Sequence, residues 1–306
     1  MANVVRRLVS ADGSINFIIP YAKSFIEARY VQRAPNYISA YVSSHNGCKM
    51  GCTFCWLTSQ NQTEFKHVGI KEYQQQLQTI LENVPEDKVT GKSKVRINVN
   101  FMGRGEALAN KNVVTAYPQL YDTLLQTVKD NNFGSLKMNV STIMPHAIQN
   151  RSIIDIVHDK PINIYYSLYS VNDDIKKQLM PSAMDWRKAL DNLALFQQDS
   201  SSHKDNSVVF HGAFIKGIND SEESVSSLVD EILKRPFSRT KFNMVRFNPP
   251  PKSQFEETSI ERLQEIFTFI SSKMKDHEMN KKSTIIDRVG YDAFVSCGMF
   301  PRDDDI

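Results

Sequence analysis

Six times along this chain, a short run of β-branched and apolar residues gives way to a stretch of helical periodicity, and that alternation leaves few folds open. The strand-like runs are 37–44, 94–101, 136–141, 162–169, 207–216 and 241–247, and the helical stretches are 69–83, 111–131, 146–159, 173–198, 221–234 and 259–275. A strand that returns parallel after a helix implies right-handed βαβ units and a parallel sheet. Six units predict an α/β fold, a partial, open (β/α)6 TIM-like barrel over 37–306, rather than the closed eightfold form. Residues 1–36 hold β-like pieces at 16–20 and 25–31 and are expected to form a short N-terminal β-rich cap. Polar residues 197–206 read as a loop, and the final PRDDDI as a solvated acidic tail.

Residues able to do chemistry cluster just after the strand ends. They are Cys48, the turn 103–106, Ser141, Tyr169, Gly217 and Asn248. In a parallel barrel these positions share the C-terminal face, where active sites are built.

Bulk properties exclude several classes. Hydrophobic residues make up 41% and charged residues 23%, as in a soluble globular chain. A net charge of +3 permits a polyanionic partner without demanding one. No stretch approaches the roughly 18 apolar residues that span a bilayer, and the first residues lack the apolar core of a signal peptide. No membrane association is expected. Of the four cysteines, three lie within eight positions, a pattern of metal binding or catalysis in a reducing compartment, so a cytoplasmic location is expected.

Those three cysteines stand in HNGCKMGCTFCWLTSQ as Cys48, Cys52 and Cys55, with C-x3-C-x2-C spacing. Three thiolates on one tight loop can hold three irons of a [4Fe–4S] cubane and leave the fourth open. An open iron can take the amino and carboxylate groups of S-adenosylmethionine (SAM), whose reductive cleavage yields a 5′-deoxyadenosyl radical. Two other readings stay open on spacing alone. His45 with the three cysteines fits a Cys3His zinc site, and a low-potential electron carrier fits less well because such carriers supply four cysteines per cluster.

The cysteine loop, with Phe54 before its last cysteine, resembles the radical SAM superfamily. The chain from about residue 25 to 300 resembles one branch, the RlmN/Cfr-like RNA methyltransferases. The resemblance is carried in order by FIEARY, YVSSHNGCKMGCTFC, FMGRGEALAN, NVSTIMP, YYSLYSVNDDIKKQLMP, GAFIKGINDSEE, RFNPPPKSQFE and GYDAFVSCGMF. It implies a radical SAM barrel and a methyltransferase acting on an adenine carbon of ribosomal or transfer RNA. It implies that Gly105 and Glu106 receive the SAM amino group, that Ser141, Ser167 and Asn248 bind its other polar edges, and that Cys297 is methylated and carries the methyl group. Glu27 would help remove a proton from the adduct. Arg288, Gly290 and Asp292 would support the segment leading to Cys297. A flavodoxin- or ferredoxin-type donor would supply electrons to a monomer.

The chain departs from the family at two positions. Tyr41 stands where the family keeps a second, resolving cysteine, and Tyr169 stands where it usually has a histidine. Most of the N-terminal accessory domain of the bacterial enzymes has no counterpart. These departures keep two alternatives in view: a radical SAM enzyme modifying another nucleotide, small RNA or peptide without the two-cysteine mechanism, and an inactive RNA-binding module. Lysines and arginines in 88–96 and 273–288 are candidates for phosphate contacts or a solvated surface, and Trp56 for stacking, shielding or packing. His67, His146, His158 and His211 receive no role.

Overall fold

The computed structural model describes residues 6–85, 88–89, 91–199, 206–275 and 283–305. Ten strands form one continuous sheet in chain order: β1 (Arg6–Val9), β2 (Ile15–Tyr21), β3 (Ser24–Ala34), β4 (Tyr37–Val42), β5 (Arg96–Phe101), β6 (Ser135–Thr142), β7 (Asn163–Ser167), β8 (Ser207–Gly212), β9 (Thr240–Val245) and β10 (Thr284–Ile286). Pairing is antiparallel from β1 to β4 and parallel from β4 to β10. Helices α1 (Trp56–Ser59) and α2 (Ile70–Glu82) follow β4, α3 (Lys111–Asp130) follows β5, and α4 (Ile153–Val157) follows β6. Then α5 (Asp173–Leu179) and α6 (Trp186–Gln198) follow β7, α7 (Glu222–Leu233) follows β8, and α8 (Ile260–Lys273) follows β9. The expected open α/β barrel is present. Among the described residues no helix is long and apolar enough to cross a membrane.

Residues 6–36 are β-rich, and their strands continue the barrel sheet: β3 is hydrogen-bonded to β4 and the hairpin β2–β3 contributes Phe17, Ile19, Ile26 and Tyr30 to the main core. Several expectations need correction. The helix expected over 173–198 is broken between Leu179 and Trp186. Pro181 cannot continue it, and Asp185 caps a new N-terminus through its carboxylate, as Asn172 caps the first through its carboxamide oxygen. The helix expected over 146–159 is a 3-10 turn plus the five-residue α4, nucleated by a Ser152–Asp155 capping box. Strand β10 had no sequence signal. The loop expected at 197–206 falls largely on 200–205, outside the described residues, as does part of the charged stretch 273–288.

Strand alternation sorts the sheet into two faces. Ile38, Ala40 and Val42 of β4, Ile97, Val99 and Phe101 of β5, and Met138 and Val140 of β6 pack under the helices, where α2 meets them with Tyr73, Leu77, Ile80 and Leu81. The intervening positions are polar and also buried: Asn98, Asn100, Asn139, Asn163, His211 and Asn243. Part of this lumen is hydrogen-bonded, across strands where Asn139 Nδ2 donates to Asn100 Oδ1 (2.8 Å) and along β5 where Arg96 Nε donates to Asn98 Oδ1 (2.9 Å). The barrel therefore has a dry outer layer and a polar throat beneath its C-terminal face.

Candidate active site

The loop after β4 carries Cys48, Cys52 and Cys55, and all three line one cavity. Backbone bonds hold the loop from several sides. Cys48 N–H donates to the Gln62 carbonyl (3.0 Å), Thr53 N–H to that of Leu179 (3.0 Å), and Trp56 N–H to that of Gly298 (3.2 Å). Burial, and then the charge of neighbouring thiols, push Cys48 up to about 12 and Cys52 well above its ordinary range. Burial likewise pushes Cys55 up to about 11. Three thiols gathered in a low-dielectric wall stay protonated unless a cationic centre holds them as thiolates, which is the donor chemistry an iron–sulfur cluster meets. His45 does not join them. Its ring stacks on Phe65 at 3.8 Å and its Nε2 lies 3.2 Å from His67 Nδ1, so the Cys3His arrangement is not formed. Among the described residues no three Cys, His, Asp or Glu side chains converge on a single ion.

The turn 103–106 follows β5 and lies against the cysteine loop. A Cβ on Gly103 would meet Ser43 Oγ at 2.7 Å, and one on Gly105 would clash with His45 Nδ1. Gly105 also has φ of +93°, a conformation open mainly to glycine. His45 thus shapes the turn rather than binding metal. Substituting Gly105→Ala is expected to lower stability by about 1–3 kcal/mol and to reduce iron loading, read as the urea midpoint and iron per chain; unchanged values would show that the turn tolerates a Cβ.

Beyond that glycine the Glu106 carboxylate enters the cavity. Its Oε1 accepts from Leu108 N–H and its Oε2 from Ile143 N–H, both at 3.1 Å. Burial raises it to about 7 despite these bonds and one with Thr142. Ser141 and Ser167, at the ends of β6 and β7, line the same space, as does Cys297. Tyr169 stacks on Phe54 at 4.3 Å beside the cysteines.

Cys297 opens onto a second cavity as well. Met102, His211 and Cys297 line both, so these three form the partition. The Cys297 side chain is accessible from these cavities, yet the protein mass around it holds its thiol above the ordinary range, with Arg29 acting in the opposite sense. Tyr41 also lines the second cavity, and burial raises its phenol further.

Two of the expected site residues make other bonds. Asn248 does not line the cluster-side cavity; its Nδ2 donates to the Cys297 carbonyl (2.9 Å) and its Oδ1 accepts from Arg288 Nε (2.7 Å). It positions the Cys297 backbone. Glu27 is fully buried and lines neither cavity. Its Oε1 accepts from Arg104 Nε (2.6 Å), and its Oε2 from Arg29 (2.6 Å) and Asn16 (3.1 Å). A carboxylate saturated by two guanidinium groups has no free lone pair aimed at a substrate, so the expected proton-removing role is corrected to a structural one. The same arginines reach the C-terminal segment: Arg29 donates to the Val295 and Met299 carbonyls and Arg104 to that of Pro301.

The expected support from 288–292 is present. Arg288 donates to the Phe247 carbonyl, Gly290 N–H to Asp12 (2.7 Å), and Asp292 accepts from Ser10 and Ala11. The β1–β2 hairpin thereby anchors the segment bearing Cys297. Trp56 donates to the Asn248 carbonyl (3.1 Å) and packs edge-on to Phe294. Sequence reasoning missed His211, which gave no spacing signal, and the two-cavity partition that it completes.

No protein-family model matches the chain. It is 26% identical over 297 residues to the dual-specificity RNA methyltransferase RlmN of Desulfotalea psychrophila, an alignment covering 96% of this chain and 76% of that protein. It is 27% identical over 315 residues to the RlmN of Campylobacter fetus, covering 96% and 80%. In structure it is similar to a radical SAM methyltransferase from Sphaerobacter thermophilus, with a TM-score of 0.76 and 20% identity, covering 97% of this chain and 80% of the other; that likeness bears on the fold.

Proposed function

We propose, because the chain belongs to the RlmN/Cfr-like family of radical SAM enzymes, that it is an RNA methyltransferase that methylates an adenine carbon through a methylated Cys297. The observation that carries this reading is the position of Cys297, which opens at once onto the cavity of the cysteine triad and onto a second cavity suited to a substrate. Cys48, Cys52 and Cys55 would hold a [4Fe–4S] cluster, and Gly105, Glu106, Ser141 and Ser167 would orient SAM beside it. When bound, the cluster and SAM supply one-electron reduction and a 5′-deoxyadenosyl radical. The protein's own part begins with Cys297 as a nucleophile. Its sulfur forms a bond to the SAM methyl carbon, the sulfonium–methyl bond breaks, and the thiol proton leaves. Arg29 eases that ionisation, and Asn248 fixes the loop that presents the sulfur.

Release from the carrier needs a resolving nucleophile. With three cysteines in the triad and one as carrier, none of the four is left for it. Tyr41 lines the right cavity, but a phenol raised above 10 is a poor nucleophile and forms no disulfide. An external thiol would take that part. A flavodoxin- or ferredoxin-type donor, a monomeric state and a cytoplasmic location complete the proposal.

The direct test is mass spectrometry of the tryptic peptide 289–302 from protein expressed with ample iron and sulfur. One added methyl group on Cys297, blocking alkylation, is the expected result. A freely alkylated, unmodified Cys297 in cluster-loaded protein would reject the carrier. It would favour the second reading that Tyr41 and Tyr169 support, a radical SAM reaction on the same scaffold that bypasses a methylated cysteine.

A further inference from the structure

His211 has no part in the chemistry above, yet it stands in the partition between the two cavities. The residue is 8% exposed, and its Nδ1 is buried with no hydrogen-bond partner among the described residues. With Nδ1 buried, Nε2 is the nitrogen left to face open space. On β9, in register with His211, stands Asn243, whose Oδ1 is also buried and unpartnered. A buried polar atom left unmatched costs about 1–3 kcal/mol. A donor Nδ1–H and an acceptor Oδ1 on adjacent strands, brought into direct contact by a side-chain rotation, satisfy both. That pairing selects the tautomer with the proton on Nδ1 and makes Nε2 a bare acceptor. Burial and the nearby Lys241 push the imidazole down to about 4, so it stays neutral in neutral solution and Nε2 remains an acceptor.

The cavity that Nε2 faces has matching features. Met102, Val245, Ile286 and Val295 give it apolar walls. Of its cations, Arg246 and Arg288 are paired with Glu257 and Arg29 with Glu27, whereas Arg33 is exposed and makes no ion pair among the described residues. A neutral acceptor inside, apolar walls around it and a free cation at the edge suit a heteroaromatic base that carries an amino group and a phosphate.

We propose that His211 Nε2 accepts a hydrogen bond from the exocyclic amine of the target purine while Arg33 meets its phosphate, so that His211 sets a preference for adenine over a 6-oxopurine. This rests on the reading that places the substrate base beside Cys297. An oxo group at the same position sets acceptor against acceptor and leaves both unpaired, and buried sites built around a hydrogen bond reject such mismatches strongly.

The test compares adenosine and inosine monophosphate as probes, by calorimetry on the cluster-loaded protein. The wild type is expected to bind the adenine nucleotide at least about tenfold more tightly. His211→Phe keeps the ring volume and is expected to bind both alike, and Arg33→Ala to weaken both by a similar factor. The double variant His211→Phe/Asn243→Leu, which leaves no stranded amide, keeps the test open if the single variant folds poorly. Equal binding by the wild type, a preference for inosine monophosphate, or unchanged discrimination in His211→Phe overturns the proposal. So does a loss confined to S-adenosylhomocysteine affinity, which would assign His211 to the cofactor's adenine. The methylation state of peptide 289–302 reports separately on the underlying reading: an unmethylated Cys297 rejects that reading whatever the nucleotides do.

Discussion

Glu27→Gln is expected to destabilise the protein by about 3–5 kcal/mol, the cost of removing one partner from a buried ionic network and stranding the others. The network is closed on every side. Glu27 and Arg104 are 0% exposed and Arg29 is 1% exposed. Arg104 lies over the Phe25 ring at 4.0 Å and Arg29 over the Phe300 ring at 4.8 Å, so the guanidinium groups are sandwiched among aromatics with no route to water. Glutamine keeps the shape but offers one acceptor oxygen and no charge, leaving two cations against a neutral amide. The melting temperature should fall by roughly 10 °C for a chain of this size. Because both arginines also hold carbonyls of Val295, Met299 and Pro301, the C-terminal segment should loosen first, exposing Cys297 to faster alkylation at temperatures below the global transition. The triple change Glu27→Leu/Arg29→Met/Arg104→Met removes all three charges and should cost less than the sum of the single changes. Differential scanning calorimetry with timed alkylation decides it. A Glu27→Gln protein that melts within a degree or two of the wild type would mean that the carboxylate is not the keystone.

That network also shows where sequence reasoning stops. The cysteine triad and the Gly105–Glu106 turn were legible because their signals are local: fixed spacing, a glycine beside a carboxylate, a strand before and a helix after; Cys297 was singled out by the family resemblance. Glu27 carried no such signal. Its decisive partner, Arg104, is 77 residues away, and a glutamate in a strand reads as a surface or catalytic group until the opposite face is known. His211 and Asn243 were invisible for the same reason, since only the parallel register of β8 and β9 brings them together. The barrel was legible from six repeats of one pattern. The continuity of β1–β3 with it was not, because a hairpin's partner strand cannot be read from the hairpin. Asn248 was placed correctly after a strand end, but its two bonds to Cys297 and Arg288 depend on how the C-terminal segment folds back.

The second large effect concerns Glu106 and the amino group of the cofactor. Burial raises its pKa to about 7 from 4.5. A carboxyl group raised in this way disfavours the folded state once it ionises: the penalty is fully present above about 7 and is gone below 4.5, where both states are protonated. A ligand ammonium reverses the preference, because it pairs with the carboxylate and not with the acid. Binding below about 7 must therefore expel a proton. The affinity of the cluster-free protein for S-adenosylhomocysteine should fall toward tenfold per pH unit there and level off above it. Glu106→Gln should lose about tenfold to a hundredfold in affinity at pH 8, the value of a hydrogen bond to a charged group, and should bind with a flat pH profile. Calorimetry in two buffers of different ionisation enthalpy reads the proton directly. Proton release near pH 6 in the wild type and none in Glu106→Gln places the ammonium on Glu106. Equal proton release in both proteins would move the ammonium elsewhere in the cavity and leave Glu106 to hold the backbone of Leu108 and Ile143.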